Sequence, residues 1–325
     1  RRETTHHTIT QRMGLFQFVV FGLETGSLIA VAAMGFTLIY GIVNMINFAY
    51  GEYLTIGSYL SFYLVVQTGL NIWIALVAVT VLTAVLGWLV SRAFFVPLHE
   101  QGPIPLLLTS IGLGFVLRNA FRIGLGLDRR YIELEQAYTV LPVATFRFDL
   151  PELTVGFGGA RIDLLGDFFV TTNLVVTVVI ALLLLGAVHL LLTRTDLGIA
   201  MRATASNESL AELSGVPAYN IRQYTWVLAS ALAGVAGLLL FTRTPAAPDA
   251  GFSQILFILA AAILGGAGSV YGAVLGSFVI GLSIQVVNGL GIPVLSNVPI
   301  SVAFFILVVI LLVRPSGIAG TEVSA

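Results

Sequence analysis

Cysteine and lysine are both absent from this chain of 325 residues, and all 15 of its positively charged side chains are arginines. Without cysteine, the chain has no disulfide bond, no thiolate metal ligand and no thiol nucleophile. Without lysine, it has neither the phosphate-binding loop of an ATPase nor a lysine Schiff base, since both require that residue. If ATP drives this protein, another chain must hydrolyse it.

Charged residues are also scarce, at 10% of the chain against 58% hydrophobic residues. The formal net charge of -1 gives no basic surface for binding nucleic acid. A mean hydropathy of +1.00 and 34 glycines are typical of a helical protein that crosses a lipid bilayer many times. No catalytic triad, pair of catalytic carboxylates or set of histidines at metal-ligand spacing is present, so we expect neither an enzyme nor a cofactor.

Apolar runs predict an all-α polytopic membrane protein, because a helix needs roughly 20 apolar residues to cross a bilayer. Several runs are short or interrupted by glycine, which is typical of discontinuous helices. We predict about eight to ten transmembrane segments within one domain, residues 15–320. Residues 1–14 are expected to be a disordered or non-native tail, and residues 321–325 a C-terminal tail. The apolar runs are 15–43, 53–68, 71–92, 104–124, 168–192, 223–242, 253–265, 270–288 and 298–313.

A compact polar segment, residues 193–222, separates two membrane-length apolar runs and must therefore face water. Between residues 200 and 213 its apolar side chains recur every three to five positions, which predicts one short amphipathic helix. Gly215 and Pro217 are expected to end it, since glycine suits the left-handed cap position and proline cannot continue a helix. Such a segment is either a solvated connection or a docking site, and its small side chains favour docking to a cytosolic partner.

Arginines in short loops indicate the orientation of the chain in the membrane. Counting spans places Arg92, the polar segment and Arg314 on one side, which we assign to the cytoplasm together with the C-terminus. Residues 125–167 are then an extracytoplasmic loop. Alternating residues and glycines within it predict a small exposed β hairpin. This loop is either inert or a lid or docking surface for an external partner.

A second informative stretch, residues 41–62, places polar side chains among glycines and apolar residues. Amides and carboxylates are costly in lipid unless they face a cavity or a partner. We predict that this stretch lines a translocation pathway; the alternative is a set of hydrogen bonds between helices with a short turn. The polar residues concerned are Asn44, Asn47, Glu52 and Thr55.

Glycines recur near the end of the chain at Gly272, Gly276 and Gly281. The sequence around the first of them resembles a dinucleotide-binding fingerprint only superficially, because the final glycine is one residue late and no strand–helix–strand unit surrounds it. These glycines instead predict close helix packing. Glu24 and Arg118 lie nearest to the predicted membrane interior, where each is either part of an ion relay or an interfacial residue.

Three stretches together resemble one family, the inner-membrane permease subunits of ATP-binding-cassette importers for branched-chain amino acids and urea. They are INFAYGEYLTIGSY, TDLGIAMRATASNESLAELSGV and LGGAGSVYGAVLG, and the closing ILVVILLVRPSGIAG is also similar. Their order and spacing agree over nearly all of the chain from Gly14. One position departs from the family, since Tyr50 stands where a histidine is usual. If this position contacts the transported ligand in the pathway, the substrate is open; if the side chain only packs, the departure changes nothing.

The resemblance implies a permease paired with a homologous second permease, as a heterodimer, in a bilayer. Two cytosolic ATPase subunits and an extracytoplasmic substrate-binding protein complete such systems. The polar segment would be the coupling loop, with Ala203, Leu210 and Leu213 transmitting force and Arg202 and Glu208 fixing orientation. The positions that match the family there are Gly198, Arg202, Ala203, Ala205, Asn207, Leu213 and Gly215.

The resemblance predicts an importer for branched-chain or other small amino acids, with urea or short amides as alternative substrates. From the residues alone, two other hypotheses remain. The first is a secondary transporter that uses Glu24, Glu52 or Arg118 to couple transport to an ion gradient. The second is a membrane scaffold without transport activity, in which polar substitutions near Asn44 would change no flux.

Overall fold

The computed structural model describes residues 15–126, 145–148, 153–157, 160–165, 168–289, 299–314 and 317–319. The predicted tails, 1–14 and 321–325, lie outside them, as does much of the predicted loop 125–167. Most of the described residues are helical: α1 (Leu15–Val43), α2 (Tyr50–Ser61), α3 (Ile72–Val90), α4 (Pro103–Leu125), α5 (Thr172–Arg194), α6 (Asp196–Ser206), α7 (Glu208–Leu213), α8 (Ala218–Phe241), α9 (Ala250–Gly265), α10 (Val270–Gly289) and α11 (Pro299–Val313).

Six of the described helices are long and apolar enough to cross a membrane: α1, α3, α4, α5, α8 and α10. Two further apolar helices, α9 and α11, are shorter. The helix α2 has 12 residues and continues as a π-helical turn, Phe62–Gln67. The helix α3 likewise continues through Ser91–Phe95 into a 3₁₀ helix, Val96–Gln101. These observations confirm an all-α polytopic membrane protein.

Helices α1 and α8 form the antiparallel centre of the bundle. Glu24, near the start of α1, lies 3.3 Å from Arg243, just beyond the end of α8. At the opposite end, Ile42 of α1 packs with Ile221 of α8. Both helices carry apolar side chains around most of their circumference, and both are largely buried within the bundle.

The two halves of the chain, α1–α4 and α8–α11, repeat one order of elements in opposite directions. In each half a long central helix is followed by a short non-helical segment and then by a shorter helix, α2 or α9. The central helix of each half packs against the third helix of the other, so that α1 contacts α10 and α8 contacts α3. Because α1 and α8 are antiparallel, the halves form an inverted repeat, an arrangement common in transporters.

Helices α2 and α9 begin inside the bundle and not at its ends. The Tyr50 hydroxyl, at the start of α2, donates a 3.2 Å hydrogen bond to the carbonyl of Ala229, the twelfth of the 24 residues of α8. The start of α9 lies at the same depth, since the Gly251 amide donates to Thr55 Oγ1 over 3.0 Å. A Cβ atom on Gly51 would lie only 2.8 Å from the Gly251 carbonyl oxygen. Glycine at both positions therefore allows the two helix starts to touch.

The glycines predicted to mediate helix packing lie where backbones meet. A Cβ atom on Gly272 would overlap the backbone of Gly265, and one on Gly276 would overlap the Ala261 carbonyl. One on Gly281 would overlap the backbone of Gly26. Because glycine has no Cβ atom, the backbone of α10 packs closely against the backbones of both α9 and α1.

Four short strands lie at the end of the bundle where α1 begins: β1 (Thr145–Phe148), β2 (Leu153–Phe157), β3 (Ala160–Leu165) and β4 (Phe168–Thr171). The strands β2 and β3 pair antiparallel as the predicted hairpin, whereas β1 pairs with β4. Gln17 of α1 anchors β4, since its Oε1 accepts the Phe169 amide at 2.7 Å. We call this the strand end of the bundle, and the opposite end, which carries α6 and α7, the loop end.

Candidate functional site

The polar segment at the loop end folds into two helices, not the single helix predicted over residues 200–213. The Asn207 backbone is extended, and its Oδ1 accepts the Leu210 amide over 2.9 Å, so that it caps α7. Asparagine is favoured at such capping positions, because its side chain can accept a backbone amide there. The prediction of one continuous helix was therefore wrong. Gly215 ends α7 in the left-handed conformation, with φ of 87°, as its position before Pro217 predicted.

Helices α6 and α7 present an exposed face with several apolar side chains. Leu213 is 87% exposed, Leu210 61% and Ile199 55%. The sequence pattern did not single out Ile199. On the opposite side, Met201 is buried against the ends of α1 and α8, which attaches the segment to the bundle. Of the other predicted coupling residues, Arg202, Ala205, Asn207 and Gly215 are exposed, Ala203 and Glu208 are half-buried, and Gly198 is buried.

Gly198 has a structural task in this segment. A Cβ atom there would overlap the Leu191 carbonyl and the backbone of Leu192 in α5. Its amide also donates to Thr195 Oγ1 at 3.1 Å, which caps α6. Glycine is thus required for the tight turn from α5 into α6.

Glu208 connects α7 to two other elements. Its Oε1 forms an ion pair with Arg222 of α8 and lies 3.5 Å from Nε2 of His99, in the 3₁₀ helix that follows α3. His99 is distant in the sequence from the other two residues, and Glu208 and Arg222 lie on different helices, so no local pattern indicated the cluster. A movement of α7 would therefore be transmitted to α8 and to the end of α3.

A cavity of about 630 Å³ lies beside this segment at the loop end. It extends from the end of α1 to α6, α7 and the turn between α9 and α10, and Ala319 also lines it. Asn44, one of the predicted pathway residues, lies in its wall with a φ of 55°, which is uncommon for a residue other than glycine. The wall is rich in hydroxyl, amide and carboxylate groups: Tyr40, Asn44, Thr204, Ser206, Asn207, Glu208 and Ser269.

The other predicted pathway residues are buried, and three of them contact neighbouring helices. Tyr50 bonds α8 and Thr55 bonds α9, as described above. Glu52 pairs with Arg118 of α4. Asn47 is fully buried, in the non-helical segment between α1 and α2. At Tyr50, Glu52 and Thr55 the structure therefore shows contacts between helices where the sequence predicted a pathway lining. Asn44 lies in a cavity wall, and the side-chain amide of Asn47 has no partner among the described residues.

The ion pair of Glu52 and Arg118 joins three elements at half depth. Arg118 Nη2 and Nε donate to Glu52 Oε1 over 2.6 and 3.1 Å. The guanidinium also stacks on the ring of Phe252 in α9, with its carbon 3.7 Å from the ring centre. The Glu52 side chain is fully buried and that of Arg118 nearly so. Because a charge in this environment requires its counter-charge, the pair holds α2, α4 and α9 together.

Glu24, the other acidic residue singled out within the membrane region, is paired as well. Arg243 lies beside it at the strand end and donates to the Thr25 hydroxyl over 3.2 Å. Gln285 of α10 donates to the same hydroxyl over 3.1 Å. These contacts join α1, α8 and α10. Among the described residues, no group of three or more metal-ligating side chains is present.

The structure is a polytopic helical bundle with an inverted repeat and with helices that start at half depth. This architecture is common among membrane transport proteins. The chain belongs to the family described as "Branched-chain amino acid transport system / permease component", whose model matches residues 18–313. This membership agrees with the resemblance of the three sequence stretches and disfavours the secondary transporter and the scaffold.

Similar proteins cover almost the whole chain. The high-affinity branched-chain amino acid transport system permease protein BraD of Pseudomonas aeruginosa is 33% identical over 314 residues, 94% of this chain and 95% of the relative. The corresponding protein LivH of Escherichia coli K12 is 30% identical over 92% of this chain and 93% of its own. The ribose import permease protein RbsC of Haemophilus influenzae is 31% identical over only 31% of this chain and 34% of its own. No solved structure matches the chain significantly.

Proposed function

We propose that this chain is a permease subunit of an ATP-driven importer for branched-chain amino acids. It would lie in the cytoplasmic membrane with its loop end and C-terminus in the cytoplasm. Its partners would be two cytosolic ATPase subunits, a homologous permease and an extracytoplasmic binding protein that delivers the solute. The names of relatives that cover over 90% of this chain favour branched-chain amino acids over urea, short amides or other small amino acids.

The exposed face of α6 and α7 is the observation that carries the coupling role. Ile199, Leu210 and Leu213 expose apolar surface on a segment whose other residues are largely polar. Exposed apolar clusters with a polar rim are typical of protein docking sites. The opposite side of the segment is fixed to the bundle through Met201 and Glu208. A partner that binds the exposed face would therefore move the bundle and not only the loop.

The mechanism that follows is alternating access driven from the loop end. ATP binding would draw two ATPase subunits together and displace α6 and α7. Glu208 would transmit that displacement to Arg222 and His99, and so to α8 and α3. The coupling free energy equals the difference in partner binding between the two states of the bundle, so the docking contacts must differ between them.

Co-purification with the ATPase subunits tests the docking face. We expect the double variant Leu210→Glu and Leu213→Glu to lose the ATPase, with affinity lowered by roughly tenfold to a thousandfold, because two carboxylates would be buried against an apolar partner. Both side chains are exposed, so the bundle should still fold. The control is Gln67→Glu, which adds a carboxylate at an exposed position beyond α2. If the double variant retains the ATPase as the wild type does, docking lies elsewhere.

A further inference from the structure

A second cavity, of about 290 Å³, opens at the strand end of the bundle. Leu240 and Thr244, where α8 ends, lie in its outer wall, and it extends to Asp249, Ser253 and Gln254 at the start of α9. The inverted repeat relates this place to the segment 44–49, which also precedes a short helix and adjoins the cavity at the loop end. Each half of the chain thus has a cavity beside its non-helical segment, and the two open at opposite ends.

The inner part of this cavity lies at half the depth of the bundle. Gly251, two residues after Asp249, contacts Gly51 and bonds Thr55. Those residues are level with Ala229, the midpoint of α8, as the hydrogen bond from Tyr50 shows. The carboxylate of Asp249 therefore lies well inside the region that α8 spans.

The Asp249 carboxylate differs from the acidic side chains found elsewhere in this membrane region. Glu24 and Glu52 each pair with an arginine, whereas Asp249 is exposed and its carboxylate has no hydrogen bond or ion pair within the described part of the chain. It precedes α9 at the capping position, yet its side chain does not cap the helix. A charged side chain that faces lipid at this depth is costly, so Asp249 must face water or a binding partner.

Other groups beside Asp249 suit a small zwitterion. The carboxamide of Gln254, in the cavity wall, offers a donor to a carboxylate. Leu240 and Ala247 provide apolar surface in the same wall. The cavity thus combines a free anion, a donor and an apolar wall within a volume close to that of small-molecule sites.

We propose that Asp249 binds the ammonium group of an α-amino acid as the solute enters from the strand end. This inference rests on the proposed function and names the contact at which the permease recognises a zwitterion. The hydrogen-bond donor of Gln254 faces the carboxylate of the solute, and the apolar wall accepts its side chain. An uncharged solute such as urea would lack this ionic attraction to Asp249.

The natural absence of cysteine allows a direct test in the assembled transporter. Ser253→Cys places one thiol in the cavity, one turn from Asp249. In the complex without its binding protein, the rate of each reagent is divided by its rate with free 2-mercaptoethanol. The normalised rate of the cationic methanethiosulfonate ethyltrimethylammonium should then be about ten times that of the anionic methanethiosulfonate ethylsulfonate, because Asp249 attracts the cation. Adding Asp249→Asn should bring the normalised ratio near one. The control Leu183→Cys, exposed half-way along α5, should label with neither reagent, since lipid keeps the thiol un-ionised.

Protection by solute completes the test. L-Leucine at high concentration should slow the labelling of Ser253→Cys, whereas 2-hydroxy-4-methylpentanoate, which lacks the ammonium group, should not. The Asp249→Asn background should lose the protection by leucine. Three results would each overturn the inference. They are equal normalised labelling rates for the two reagents, equal protection by the two solutes, and a thiol that labels only when the partner permease is removed. The last would show that Asp249 lies in a subunit contact.

The labelling results do not depend on ATP-driven uptake, so the two proposals fail separately. A complex that imports leucine with ATP but shows no charge preference at Ser253→Cys would overturn only the role of Asp249. A complex that shows the charge preference and protection but no ATP-driven uptake would overturn the proposed energy source instead.

Discussion

Arg118→Ala is expected to destabilise the folded chain by about 3–5 kcal/mol, because it leaves the carboxylate of Glu52 buried and unpaired. The Glu52 side chain is fully buried, and both recorded donors to its Oε1 come from Arg118. The stacking of the guanidinium on Phe252 would be lost as well. The measurement is thermal unfolding of the purified protein in detergent, where we expect the midpoint to fall by roughly 5–15 °C.

The control for this prediction is the double variant Glu52→Gln with Arg118→Gln. Two neutral amides of similar length can bond each other without a buried charge, so the double variant should be more stable than Arg118→Ala alone. Unfolding of Arg118→Ala at the wild-type temperature would mean that water reaches Glu52. It would also contradict the role of the pair in holding α2, α4 and α9 together.

Gly251→Val should prevent the close crossing of α2 and α9. A Cβ atom at Gly251 would overlap the carbonyl of Gly51 and lie 2.7 Å from Thr55 Oγ1. Because the first obstacle is backbone, the two helix starts must separate, at a cost of about 3 kcal/mol or more. We expect little monodisperse protein in size-exclusion chromatography.

Gly186→Val is the matched control for this substitution. Gly186 lies on the exposed face of α5, where a Cβ atom meets no other atom within 4 Å. Its replacement changes helix propensity but no packing contact, so the variant should elute as the wild type does. If the two variants elute alike, the contact between Gly51 and Gly251 does not determine the packing of the bundle.

The spans were predictable because apolar length is a strong signal. The runs 15–43 and 270–288 lie within one residue of α1 and α10. The start of α2 was predicted less accurately. The predicted apolar run begins at residue 53, three residues after the helix begins at Tyr50. The first turn of α2 contains Glu52, and a charged residue argues against a membrane helix when only the sequence is known. The structure buries Glu52 against Arg118.

The partners of the polar residues could not be predicted. Glu52 and Arg118 are 66 residues apart. The sequence predicted Glu52 as a pathway residue and Arg118 as a relay or interfacial residue, with no pairing between them. Their pairing depends on the packing of α2 against α4, which periodicity does not determine. No sequence pattern distinguishes Asp249, because an acidic residue before an apolar run is typical of an ordinary helix cap. Only the structure shows that its carboxylate does not cap.

ATP-driven uptake in proteoliposomes tests the account most directly. The chain is reconstituted with its homologous permease and candidate ATPase subunits, and binding protein loaded with radiolabelled L-leucine is added outside. The account predicts leucine accumulation that requires ATP within the vesicles and is lost in the Leu210→Glu and Leu213→Glu double variant. Leucine uptake by this chain alone, driven by an ion gradient and unaffected by ATP, would contradict it.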